Sequence, residues 1–151
     1  MTVVASSFER QHNDLYETEA WATEALIRFF PVDGLKVWEP AAGNHKMADV
    51  LRQRGADVFT SDIQAYDRTH DAEFDFLGGS VPFWPAGSDA IITNPPYGPG
   101  NRLAVKFAER ALKHCRGTVA LLLTMKFDSG KTRRHLFADN PRFLAKITLL
   151  D

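Results

Sequence analysis

With a single cysteine, Cys115, in 151 residues, the chain cannot carry an internal disulfide framework, and this points to a reducing compartment. No apolar run reaches the ~18 residues that a membrane-spanning helix needs. The opening MTVVASSFERQHND lacks the charged-then-apolar layout of a secretion signal. These absences predict a soluble, cytoplasmic protein with no membrane partner. Repeats, low-complexity tracts and linkers that would separate two domains are also missing. Histidines stand at 12, 45, 70, 114 and 135, and none falls with acids or Cys115 at zinc-ligand spacing, so no metal site is expected. Net charge is nearly absent too, at −1. That average hides a polarity. Residues 1–100 hold 7 Lys and Arg against 15 Asp and Glu, a balance of −8, whereas residues 101–151 hold 11 against 4, a balance of +7. Near-neutrality therefore does not exclude nucleic acid as a partner.

What the chain does have is 44% hydrophobic and 25% charged residues, the composition of one globular domain able to bury its own core. Short apolar runs alternate with longer amphipathic stretches. Trp21, Ala22, Ala25, Leu26, Phe29 and Phe30 fall at helical spacing, ended by Pro31 and Gly34. Strands are expected at 35–38, 57–60, 73–77, 90–93, 118–124 and 145–150, and helices at 45–55 and 133–138. A further helix carries Leu103, Phe107, Ala111 and Cys115 on one face and ends near Gly117. This alternation predicts an α/β domain with a mainly parallel sheet and helices on both faces. In such sheets ligands bind beyond the carboxyl ends of the strands, near the point where strand order reverses.

Polar or small residues follow several of these strands. After 90–93 comes Asn94-Pro95-Pro96-Tyr97-Gly98. Pro95 holds Asn94 extended, and the two prolines stiffen the platform. The Asn94 amide oxygen and the Pro95 carbonyl give two adjacent acceptors, and Tyr97 adds a flat aromatic face. Such a set suits a planar group bearing an –NH2; its structural alternative is a rigid turn with a core tyrosine. After 35–38 comes Glu39-Pro40-Ala41-Ala42-Gly43-Asn44, whose small residues allow close backbone approach and whose Glu39 accepts from a cationic amine. The same pattern also serves as an ordinary strand-to-helix turn. Asp62, about 20 residues beyond the glycine turn, stands where an acid takes ribose hydroxyls. Asp75-Phe76 offers an acceptor and a wall for an adenine ring. Taken alone, each of these last two is more simply a structural feature.

In order and spacing, Trp38-Glu39-Pro40-Ala41-Ala42-Gly43, Asp62, Asp75-Phe76 and Asn94-Pro95-Pro96-Tyr97 resemble S-adenosylmethionine-dependent amino methyltransferases. Among these the chain is most similar to adenine-specific DNA methyltransferases of small phage and prophage type. Leu15-Tyr16-Glu17-Thr18-Glu19-Ala20-Trp21 resembles the segment that closes over the methionine end of the cofactor there. The resemblance implies a Rossmann-like class I methyltransferase fold, with residues 1–34 as the cofactor-closing segment and 35–151 as the core. It implies S-adenosylmethionine held by Thr18, Glu39, Pro40, Ala41, Gly43, Asp62, Ile63, Asp75, Phe76 and Asn94. Asn94, Pro95 and Pro96 would hold the target amine, with Tyr97 stacked on a flipped-out base. Lys126, Lys131, Arg133 and Arg134 would contact phosphates, or else form a solvated helix start. The implied reaction is methylation of the 6-amino group of adenine in DNA. The same fold also serves a protein glutamine, an RNA base, or a binding module that has lost catalysis.

Three departures stand out. His45 occupies the position of the family's second glycine, and Glu19 that of a common proline. The family sheet ends in an antiparallel hairpin of sixth and seventh strands, whereas sequence for only the sixth is present here. Either the sequence is truncated, or a partner chain, such as a second copy, covers that sheet edge, or the fold closes differently. With no separate recognition domain, target preference would come from loops 64–73 or 78–87, or from dimerisation.

Overall fold

The computed structural model describes residues 17–78 and 87–150. Helix α1 (Ala20–Phe29) leads into strand β1 (Lys36–Glu39), helix α2 (Lys46–Gln53) and strand β2 (Asp57–Asp62). Strands β3 (Ala72–Glu73) and β4 (Ala90–Thr93), helix α3 (Arg102–His114) and strand β5 (Thr118–Leu121) follow. Two 3₁₀ turns, Phe127–Ser129 and Lys131–Leu136, come after β5. The five strands form one all-parallel sheet in the order β3-β2-β1-β4-β5. The chain thus winds outward from β1 in one direction, then crosses back and winds outward in the other. The reversal lies between β1 and β4.

Alternation along the central strands sends successive side chains to opposite faces. Val37, Ala90 and Ile92 join Met47, Ala48 and Leu51 of α2 in one core cluster, with Leu26 and Ile27 of α1 packed on it. Trp38 and Ile91 point the other way, onto Phe107, Ala111 and Cys115 of α3. Helices therefore cover both faces, which is why β4 is buried at all four positions. The Trp38 indole N–H donates to Ser61 Oγ at 2.9 Å and ties β1 to β2 inside the core. No helix among the described residues is long and apolar enough to cross a membrane.

Four elements differ from the sequence expectation. The third strand is only two residues long, because Asp75 turns the chain: its Oδ1 accepts from the Leu77 N–H and its carbonyl from the Gly78 N–H, at 2.9 Å each. The fifth strand stops at Leu121 rather than residue 124. The expected helix at 133–138 is a 3₁₀ run over Lys131–Leu136. Residues 145–150 form no strand. A β-rich run needs a neighbour to pair with, and this one is tied elsewhere. The Arg142 guanidinium donates to the carbonyls of Leu112, Cys115 and Gly117 at and beyond the end of α3, and Lys146 Nζ to the Met125 carbonyl at 2.8 Å and the Asp128 carboxylate at 2.9 Å. The sheet consequently carries no antiparallel strand among the described residues. Leu15, Tyr16 and most of loop 78–87 lie outside the described residues.

Candidate functional site

A cleft of about 800 Å³ opens at the carboxyl ends of β1, β2 and β4, at the point of strand-order reversal. Its walls include Thr18, Glu39, Pro40, Ala41, Gly43, Asp62, Ile63, Asp75, Phe76, Asn94, Pro95 and Pro96. All ten residues expected to hold the cofactor therefore meet in one cavity, although they span 77 positions of sequence.

Glu39 is the last residue of β1 and is only 2% exposed. Its Oε2 has no hydrogen-bond partner among the described residues. Burial, reinforced by the nearby Asp62 charge, pushes its carboxyl well above the ordinary 4.5, while Arg52 and the Ala48 N–H pull it down. A buried, unpaired carboxylate at the wall of a cleft is costly unless something cationic or donating meets it there.

The turn after β1 is built to approach a ligand closely. Gly43 adopts φ +51°, in the left-handed region, and its N–H donates to Asp62 Oδ2 at 2.8 Å. Asp62 Oδ1 accepts from the Ile63 N–H at 2.7 Å, so both carboxylate oxygens are fixed in direction. Each retains a second lone pair for a hydroxyl donor. Burial raises the Asp62 carboxyl above its ordinary value, against the pull of these two N–H groups. His45, in place of a glycine, also takes a left-handed conformation, at φ +63°. Its side chain is turned away and forms no part of the cleft wall, so the turn keeps its backbone toward the cavity.

Across the cleft, Asn94 leaves β4 with both ends of its amide engaged. Its Nδ2 donates to Thr18 Oγ1 at 3.1 Å, and its Oδ1 accepts from the Tyr97 hydroxyl at 3.2 Å. The Tyr97 hydroxyl also reaches the Leu122 carbonyl, at 3.1 Å. The ring of Tyr97 packs on the cluster of Ala104, Ala108, Phe127 and Leu136 and is not a wall of the cleft. Here Tyr97 anchors Asn94. Phe76 meets Trp38 edge-on at 5.3 Å and stacks with Phe107 at 4.8 Å, so it is both core and wall.

The four basic candidates divide into two pairs, and none of them lines the cleft. Arg133 lies over the Phe127 ring at 4.5 Å and donates to the carbonyls of Phe127 and Gly100, fastening the 3₁₀ run to the loop beyond the Asn94 signature. Arg134 pairs with Asp139 at 3.0 Å. Lys126 and Lys131 are exposed. The cationic wall residues that sequence reading passed over are Lys46 and Lys106. Lys106 lies between the helical positions Leu103 and Phe107, and that adjacency is the one signal that could have found it. No family model, curated protein or solved structure matches the chain.

Proposed function

We propose that the protein is an S-adenosylmethionine-dependent methyltransferase acting on the 6-amino group of adenine in DNA. The observation that carries this reading is the meeting of an unpaired buried carboxylate, Glu39, and an amide platform, Asn94-Pro95-Pro96, in one cleft at the sheet's reversal point. Glu39 Oε2 fits the cofactor's ammonium, because a cation there supplies the partner the carboxylate lacks. The fixed oxygens of Asp62 suit ribose hydroxyls, while Asp75 and Phe76 suit an adenine amino group and ring. When bound, the cofactor brings a methyl on a sulfonium with its own leaving group, so the protein's task is mainly positioning.

Asn94 Oδ1 and the Pro95 carbonyl accept the two N–H bonds of the target amine. They thereby turn its ring-delocalised lone pair toward the methyl. An amide is not a base, so the proton released from nitrogen passes to solvent. Tyr97 and Thr18 hold the Asn94 amide at its two ends during this step. Extruding the base from a duplex costs a few kcal/mol, which phosphate contacts from the basic final third would offset.

The test is transfer of labelled methyl groups to DNA, RNA and protein, with cofactor binding followed by calorimetry. Asn94→Ala should abolish transfer to DNA and weaken cofactor binding only slightly, since Asn94 is one of ten residues around the cofactor but, with Pro95, holds the amine. Transfer to protein or RNA but never to DNA would replace adenine as the target. Absence of cofactor binding at millimolar concentration would leave a binding module instead.

A further inference from the structure

His45 occupies a left-handed position that favours glycine, yet its imidazole is almost wholly buried and points away from the cleft. It points at His70, with Nε2 2.9 Å from His70 Nδ1. The ring centroids lie 5.1 Å apart with planes 29° from parallel. With the nitrogens that close, this is an edge-to-edge, in-plane hydrogen bond and not a face-to-face stack. The outer nitrogens are also engaged: His70 Nε2 lies 3.0 Å from the Gln64 carbonyl, and His45 Nδ1 3.3 Å from Arg52 Nη1.

The two ends of this chain fix every proton in it. A carbonyl only accepts, so His70 must carry its proton on Nε2, which leaves its Nδ1 as an acceptor. His45 must then donate from Nε2, and its own Nδ1 accepts from the Arg52 guanidinium, which only donates. Donation runs in one direction, from Arg52 through His45 and His70 to Gln64. An added proton finds no acceptor: on His70 Nδ1 it meets the His45 N–H, and on His45 Nδ1 it meets Arg52.

We propose that this neutral imidazole pair is a positioning device that locks loop 63–71, the outer wall of the cleft, against the turn after β1. Ile63 and Tyr66 of that loop line the cleft, and Asp62 stands at its root. The lock itself does not depend on which ligand the cleft takes; its effect on cofactor binding rests on the methyltransferase reading. The charged groups around the pair favour the neutral form. Arg52 on α2 and Arg68 on the loop face it, and Asp49, the acid near His45, is already shared by both arginines at 2.9–3.3 Å. On the cleft side, Asp62, whose charge interacts with His70, opposes this. Burial together with Arg68 and Arg52 pulls the His45 imidazole below its ordinary 6.5. A proton added to His45 lands on Nδ1 against the Arg52 guanidinium, and a buried imidazolium between Arg52 and Arg68 is repelled out of its place, so the lock opens as pH falls through that lowered value.

Amide hydrogen exchange on the free full chain tests the lock. After correction for intrinsic rates, exchange across residues 64–70 should rise about tenfold between pH 8 and acidic pH, the scale of one lost hydrogen bond, while Val58 and Ile91 keep their protection. His45→Gly keeps the left-handed turn without strain. It should show the faster loop exchange at every pH and lose the pH dependence. Equal loop protection at both pH values in the wild type, or pH dependence surviving in His45→Gly, would overturn the lock. Calorimetry with S-adenosylmethionine then reads separately: about tenfold weaker binding in His45→Gly is expected. No binding to either protein, with the exchange pattern intact, would sink the methyltransferase reading alone.

Discussion

Replacing Glu39 by glutamine removes a buried negative charge while keeping the shape of the side chain. Glu39 is 2% exposed, its Oε2 is unpartnered among the described residues, and its carboxyl titrates well above 4.5 because of burial and Asp62. With its value raised in the folded state, the folded protein holds this proton over a pH range in which the unfolded chain has released it. The stabilisation from Glu39 is therefore complete below the unfolded value and lost as pH rises through the folded one, at most about 1.4 kcal/mol per pH unit. Glu39→Gln has no such loss. Its margin over the wild type should widen with rising pH and reach about 1–3 kcal/mol near neutrality. Urea unfolding of both proteins between about pH 5 and 8 measures that margin directly. Cofactor affinity should move the other way, weakening by about 10–100-fold, because hydrogen bonds to charged groups contribute roughly 1.5–3 kcal/mol. Wild-type binding should also release a proton from Glu39 within the titration range, seen as a heat that changes with buffer. A variant no more stable than the wild type, or a margin that does not change with pH, would refute the reading of Glu39 as a buried, unpaired carboxylate.

Tyr97→Phe keeps the ring and removes the hydroxyl that reaches Asn94 and Leu122. It should lower stability by about 1 kcal/mol and methyl transfer by roughly tenfold, with cofactor affinity unchanged. Transfer at the wild-type rate would assign the role of Tyr97 to its ring alone. Gly117→Ala places a Cβ onto the Asp89 carbonyl oxygen, which also accepts from the Thr118 N–H where β5 begins. Backbone must shift there, and thermal unfolding should show a loss of about 1–3 kcal/mol.

The centre of the fold was legible because its signals are local. The apolar run 90–93 has the composition of a strand covered on both faces, and β4 is that strand. Phe107 and Ala111 likewise lie on the inner face of α3, with Cys115 just past its end, while Leu103 lines the cleft. The acids of the cleft stand at strand ends: Glu39 and Asp62 close β1 and β2, and Asp75 lies two residues past β3. What failed depends on distant partners. The β-rich tail at 145–150 reads as a strand until Arg142 and Lys146 are seen fastening it to four carbonyls and a carboxylate 18–30 residues away. Tyr97 reads as a stacking face because sequence cannot show that its hydroxyl meets Leu122, 25 residues on. His45 was visible as an oddity, a side chain where glycine was expected. Its partner His70 lies 25 positions away and gave no periodic or spacing signal.

The charge polarity of the chain acquires a spatial meaning from the strand order. Because β2 and β3 build out on one side of β1 while β4 and β5 build out on the other, residues distant in sequence become opposite flanks of the sheet. The first hundred residues, with a balance of −8, supply Glu39, Asp62 and Asp75 to the cleft. The last fifty-one, with +7, supply α3, β5 and everything beyond. Among the described residues of that part, Leu103, Lys106 and Phe107 reach the cleft wall. On the proposed reading, a cofactor bearing an ammonium and a sulfonium would be drawn to the acidic flank, and a polyanion to the basic one. The Asn94 platform leaves β4, beside the reversal where these flanks meet. A reaction joining a cationic donor to an anionic polymer needs its amine-holding groups at that boundary, and a fold that reversed its strand order elsewhere would separate them.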